Sequence, residues 1–188
     1  AEGTRIATPQ GEVPIETLRA GDAVWTVLSG LQTVTWVGRR VVDLRRHPAP
    51  ERVRPVVIAA HAFGPDLPAR DLRVSPDHAL YIDGVLIPAR CLVDGGAIAP
   101  AADAGGTVTY YHLQLSRRDV LLAEGLPAES YLDTGNAAAF DNGGAVVALH
   151  ADFSTRVWEA QGCAPLVVAG PKVAAVRARL AGGVRAAA

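Results

Sequence analysis

The chain has 188 residues, 49% hydrophobic and 20% charged, which is the composition of a folded globular domain and excludes a disordered one. Its net charge of −1 leaves no polybasic footprint for nucleic acid, and no apolar run reaches the roughly 18 residues that cross a bilayer. Two cysteines, Cys91 and Cys163, do not make a disulfide framework at this length; they read as buried free thiols, with a single bridge as the alternative, and the scattered histidines form no HExxH or CxxC-linked metal set.

The first two-thirds read as short strands and tight turns. Thr4 to Thr8 is partly β-branched, and Pro9-Gln10-Gly11 is a turn signal. Pro14 to Leu18 suits one helical turn, with Ile15 and Leu18 on one face, ended by Gly21-Asp22. Strands are expected over Ala23 to Leu28 and Thr33 to Val37. Residues 38–54, rich in arginine and broken by Pro48 and Pro50, read as a solvated connection. Lys172 is the only lysine, so the arginine excess reads as coding composition.

Val56 to Ala60 is a good strand, and His61 to Ala69 a loop. Leu72 to Val74 leads into Ser75-Pro76-Asp77-His78, then Ala79 to Ile82. Asp83-Gly84 separates that run from Val85-Leu86-Ile87, the strongest hairpin signal in the chain. Ala89 to Val93 suits a short helical turn closed by Asp94-Gly95-Gly96. Thr107 to Leu115 is the longest β-like segment. Asp119 to Leu122 is a further apolar run with a turn at Gly125, and residues 126–150 read as turns and short apolar pieces. Pro171 to Leu180 is the clearest helix: Pro171 suits the first helical position, Val173, Val176 and Leu180 share a face, and Gly182-Gly183 ends it. With no β-helix-β alternation, the pattern is mainly β with a terminal helix and excludes a Rossmann or barrel enzyme.

Taken singly, the polar residues have plain explanations. His78 reads as a satisfied histidine at a strand edge, Ser75 as a serine capping the Pro76-Asp77 turn, Asp77 as a turn residue at the surface, and His112 as part of a half-buried Tyr110-Tyr111-His112 strand. Their order says more. Gly3-Thr4-Arg5-Ile6 resembles the end of the first motif of Hedgehog/intein (Hint) domains, Cys-Leu/Phe-x-x-Gly-Thr. Gly11 to Asp22 resembles the usual continuation of that motif. Ser75-Pro76-Asp77-His78 is similar to the Thr-x-x-His motif, with serine for threonine. Tyr111-His112-Leu113-Gln114-Leu115 resembles the late Tyr-Asp-Leu-x-Val entry, and Leu122-Ala123-Glu124-Gly125 its Leu/Val-Ala-Asn-Gly stretch. The wording from Ala123 to Gly135, then Gly162 to Leu166 and the helix after Pro171, is similar to one bacterial branch of these domains, so the resemblance covers the whole chain.

The resemblance implies a mainly β Hint fold, horseshoe-like with pseudo-twofold β arms and a C-terminal helix. It implies a single domain with a core over about residues 1–135 and an extension with the helix over 136–188. It also implies autoprocessing, in which a cysteine thiol attacks the peptide carbonyl before it and converts the amide into a thioester. On the motif, that cysteine lies two places before Ala1, and neither Cys91 nor Cys163 matches it. The chain as it stands is then inert at the first step, a product or a cysteine-less form.

His78 would protonate the leaving amine, Ser75 orient the strained amide, His112 handle a proton where relatives carry aspartate or cysteine, and Asp77 hold or tune His78. Backbone amides around Ser75 to His78 would stabilise the oxyanion. Where many relatives have His-Asn or His-Asp before the Leu-Ala-x-Gly stretch, this chain has Arg118-Asp119. Arginine does not act as an acid at ordinary pH but stabilises charge or pairs with Asp119. The chain ends Val184-Arg185-Ala186-Ala187-Ala188, and His150 is followed by Ala151, so full splicing is not expected.

The partner implied is an upstream passenger polypeptide in cis. The acyl acceptor is water, a thiol or another nucleophile. No cofactor, metal or nucleic acid is needed, and a monomer suffices. No signal-peptide pattern is visible; a secreted or surface precursor in a bacterium fits the resemblance. Two alternatives stand beside this reading. One is a degenerate Hint domain retained as a binding or structural module, separable by the residues before Ala1. The other is an unrelated β-rich ligand-binding domain, in which Ser75, His78, His112 and Ala1 would lie far apart.

Overall fold

The computed structural model describes residues 1–102, 106–131, 140–143 and 162–186, with side chains to residue 180. Its elements are strands β1 (Arg5–Thr8), β2 (Gly11–Pro14), β3 (Ala23–Thr26), β4 (Gly30–Asp43), β5 (Val56–Ile58), β6 (Leu72–Val74), β7 (Ala79–Ile82), β8 (Val85–Pro88), β9 (Ile98–Pro100), β10 (Thr107–Leu115), β11 (Val120–Ala123) and β12 (Leu126–Glu129), then helix α1 (Pro171–Ala186). Short 3-10 turns at Ile15–Thr17 and Ala89–Cys91 fall where single helical turns were expected. Among the described residues no helix is long and apolar enough to cross a membrane.

The main sheet runs β10-β4-β3-β11-β12-β7-β8, with β1 paired to β11 and β2; a smaller sheet runs β6-β5-β9. Every pairing between these strands is antiparallel, and Leu86 of β8 also makes an isolated parallel bridge to Leu166. The two central residues of the β7–β8 turn, Asp83 and Gly84, both have positive φ, 50° and 80°. That is the backbone a two-residue hairpin requires and Asp-Gly supplies. Glu124 and Gly125, at φ 52° and 77°, make the same turn between β11 and β12 with a residue type that seldom accepts it. The core gathers from both sheets: Val24, Ile58, Leu80, Ile87, Leu92 and Ile98 are fully buried, and Val173, Val176 and Leu180 of α1 pack into the same cluster. The apolar stripe of α1 is thus spent on the domain itself.

Several boundaries differ from the sequence expectation. β4 is the longest strand and continues through Asp43, so residues 38–43 are sheet and not a solvated connection. Arg39 and Val41 point out while Gly38 and Val42 are buried; this is a half-buried alternation hidden by charged residues on the outer face. β2, β9 and β12 escaped notice because each is short and carries a proline, and Pro127 of β12 lies in the strand opposite Leu122. Helix α1 runs through Gly182-Gly183 to Ala186; glycine weakens a helix by about 1 kcal/mol without forcing it to stop. Cys91 and Cys163 are free thiols and only half-buried. The late stretch beyond Tyr131 as far as Gly135, His150 and the last two residues lie outside the described residues.

Candidate active site

Residues 1–4 form a turn pinned from three sides. The Glu2 N–H donates to the Thr109 carbonyl at 3.0 Å, the Gly3 N–H to Glu16 Oε2 at 2.9 Å, and the Ala1 nitrogen to the Arg73 carbonyl at 2.7 Å. Gly3, at φ 80°, allows the chain to fold back so that Thr4 Oγ1 lies 3.3 Å from the Ala1 nitrogen. Ala1 is held in this way between β6 and β10.

The Ser75–His78 segment turns from β6 into β7. The His78 N–H donates to the Ser75 carbonyl at 3.0 Å, and the Arg90 N–H to that of Pro76 at 2.9 Å. The turn sends neighbouring side chains apart. His78 faces inward, whereas Asp77 faces solvent, 78% exposed, and pairs with Arg90 at 2.6 Å. Asp77 therefore braces the turn from outside and does not line the site. Of the amides expected to hold an oxyanion, that of His78 is engaged in closing the turn, and the adjoining Ala79 N–H donates to Glu129 Oε1 at 2.8 Å.

His112 sits in the middle of β10, opposite Gly38 of β4. Its ring centroid is 5.3 Å from that of His78. A cavity of about 40 Å³ is lined by Ala1, Thr4, Ser75, His78, His112 and Glu129, among others. Burial holds the His78 imidazole well below its ordinary 6.5, reinforced by His112 beside it, and burial lowers His112 to about 4. Both rings are neutral at neutral pH, so each offers one donor and one acceptor nitrogen, and the burial that keeps them neutral disfavours a lasting imidazolium, so a proton taken up is readily passed on.

Sequence reasoning missed Glu129. Its carboxylate accepts from Ala79 N–H on one oxygen and from Arg118 Nη2 on the other at 2.5 Å, with the two side chains 13% and 5% exposed. Arg118 thus pairs with Glu129 and not with its neighbour Asp119. Asp119 is fully buried and accepts from Leu28 N–H, Gln32 Nε2 and Val120 N–H, a structural role that ties β11 to the β3–β4 turn. The only hint in the sequence was a charged residue at the end of an apolar run. Among the described residues no group of histidine, cysteine or acidic side chains is arranged to hold a metal ion.

A sequence model of the Hint domain matches residues 1–135. The chain belongs to the Hint domain family. In that general sense it is a self-processing domain. Solved structures similar to this Hint domain include the MchDnaB-1 intein, 13% identical, covering 70% of this chain and 98% of that one at a TM-score of 0.46. A DnaB intein from Synechocystis is 13% identical over 70% and 97% at 0.45, and a bacterial intein-like domain from Clostridium thermocellum 14% identical over 69% and 96% at 0.41. No curated protein matches the chain. The Hint domain brings Ser75, His78, His112 and Ala1 to one cavity, which excludes the unrelated ligand-binding reading, and leaves Asp77 outside it.

Proposed function

We propose that this Hint domain releases an upstream passenger in cis through an N-to-S acyl shift. The observation that carries the reading is the shared cavity: Ala1, the residue nearest the expected scissile bond, lines it together with Ser75, His78 and His112. A cysteine two places before Ala1 would attack the carbonyl carbon of the peptide bond preceding it. The new C–S bond forms, the C–N bond breaks, and the proton leaving sulfur ends on the departing amine. His78 carries that proton as a neutral imidazole, receiving it on one nitrogen and donating from the ring to the amine. His112, 5.3 Å away, takes part in the relay. Ser75 orients the amide, and Asp77 acts at one remove by fixing the turn through Arg90. Water, a thiol or another nucleophile then takes the acyl group from the thioester and returns the cysteine thiol. No cofactor enters these steps.

Intact-mass spectrometry of the domain with its native upstream segment tests the proposal. Cleavage just before the upstream cysteine, accelerated by a small thiol and lost in His78→Ala, is the expected result. A folded precursor whose mass persists despite thiol would overturn it and favour a Hint domain retained as a binding or structural module.

A further inference from the structure

The site contains a residue from beyond the family-matched region. Residues 140–143 form a turn clipped onto β4 along an edge that β10 leaves open. The Asp141 N–H donates to the Arg39 carbonyl at 2.7 Å, the Arg39 N–H to Asn142 Oδ1 at 2.9 Å, and Asn142 Nδ2 to the Val37 carbonyl at 2.7 Å. Asp141 Oδ2 accepts from the Val41 N–H and pairs with Arg39, both at 3.2 Å. This clip delivers Phe140, 9% exposed, onto His112 with ring centroids 5.2 Å apart and planes at 76°.

Phe140 completes a box. Tyr131 meets His112 at 5.7 Å, and Trp36 meets both Tyr131 and Phe140 at 5.2 Å. Edge-to-face arrangements of this kind are the favoured geometry of aromatic rings. β4 accommodates the box by having glycine opposite His112: a Cβ on Gly38 would fall 2.2 Å from Trp36 Cη2 and 2.9 Å from Phe140 Cδ1. Ordinary core packing accounts for three aromatic residues meeting. It does not account for an imidazole among them that also faces His78 across the cavity, with ring centroids 5.3 Å apart.

We propose that Phe140 is a positioning residue for His112, closing the aromatic box that shields one side of the imidazole from water and fixes it against His78. The inference rests on the reading of His112 as part of the self-processing site. The titratable and charged groups around His112 are His78 from the β6–β7 turn, the Ala1 amino group, Arg40 from β4 and Tyr131, which meets it through its ring. Phe140 adds no charge of its own, so its removal acts on His112 through hydration and ring orientation.

The test is an NMR titration of the histidine rings in the 188-residue chain and its Phe140→Ala, Phe140→Leu and Asn142→Ala variants. Phe140→Ala is expected to raise the His112 midpoint from about 4 by a unit or more, a tenfold or larger gain in proton affinity. Phe140→Leu restores much of the parent value, and Asn142→Ala, a surface change that loosens the clip with the ring intact, moves it in the same direction. An unchanged midpoint in folded Phe140→Ala overturns the proposal. If that variant does not fold, an unchanged midpoint in Asn142→Ala, with hydrogen exchange showing the Arg39 amide released, overturns it instead. In the cysteine-bearing precursor, Phe140→Ala shifts the pH profile of cleavage only while His112 is present. A parent precursor that never cleaves refutes the function alone, whereas a parent that cleaves with a pH profile indifferent to Phe140 refutes the positioning role.

Discussion

Arg118→Met removes one half of a buried ion pair and leaves the other in place. The side chains of Arg118 and Glu129 are 5% and 13% exposed and meet at 2.5 Å. Charges centred about 4 Å apart attract by about 4 kcal/mol at an effective dielectric near 20, and removing one partner of a buried pair costs about 3–5 kcal/mol. Methionine keeps much of the aliphatic stem, so the loss is mainly electrostatic. At about 2–4 °C per kcal/mol for a domain of this size, Tm should fall by about 10 °C near neutral pH.

The deficit must also depend on pH. Burial holds the Glu129 carboxyl above its ordinary 4.5, against the opposing pull of the Ala79 N–H and Arg118. The folded state therefore binds this proton more tightly than the unfolded chain, and that contribution is fully present below 4.5 and lost as pH rises through the folded-state value. Without Arg118 the folded-state value climbs further. The variant is then close to the parent at about pH 4 and falls progressively behind by about pH 6 and 8. Urea unfolding of both proteins at these three values isolates the effect, because other titrating groups cancel in the difference. A deficit of equal size at all three would refute the assignment of Glu129 as the stranded charge.

Three further outcomes follow from the same structure. Glu124→Ala removes the acceptor of the Arg5 N–H at 2.7 Å and the two-point contact with Arg70. It should cost about 1–3 kcal/mol and speed hydrogen exchange at Arg5, and a still-protected Arg5 amide would contradict this. Gly38→Ala drives a methyl into Trp36, costing about 1–3 kcal/mol by overpacking and altering the near-UV circular dichroism of the aromatic cluster; an unaltered spectrum would count against the box. His78 and His112 are neutral when folded and titrate near 6.5 when unfolded, so their contribution is present above 6.5 and lost as pH falls toward about 4. Denaturation across that window should show His78→Gln/His112→Gln with a flatter acid limb than the parent, and parallel curves would contradict it.

Local chemistry made part of this molecule readable in its sequence. Asp83-Gly84 announced a hairpin because both residues tolerate positive φ, and β10 was bounded by its own β-branched and aromatic run. The Pro76-Asp77 corner marked the turn that aims His78, although its geometry sends Asp77 outward, as adjacent residues at a corner diverge. Legibility ended where the determinant was tertiary. β4 looked like a linker at Arg39-Arg40 because its partner, β10, lies far along the chain. Glu129 gained its place from Arg118 and the Ala79 amide, and Phe140 gained its place from hydrogen bonds across about a hundred positions to β4. No period or spacing encodes those encounters.

The tie between Arg5 and Glu124 also sets a clock. The Arg5 amide donates to Glu124 Oε1 across 119 positions, and the Glu124 N–H returns to the Arg5 carbonyl. A ribosome adding about 5–20 residues per second needs on the order of ten seconds to travel between them. During that interval anything emerging ahead of Ala1 has left the ribosome while β11, β12 and Glu129 do not yet exist. On the function proposed above, a passenger would have time to fold before the cavity around His78 can close.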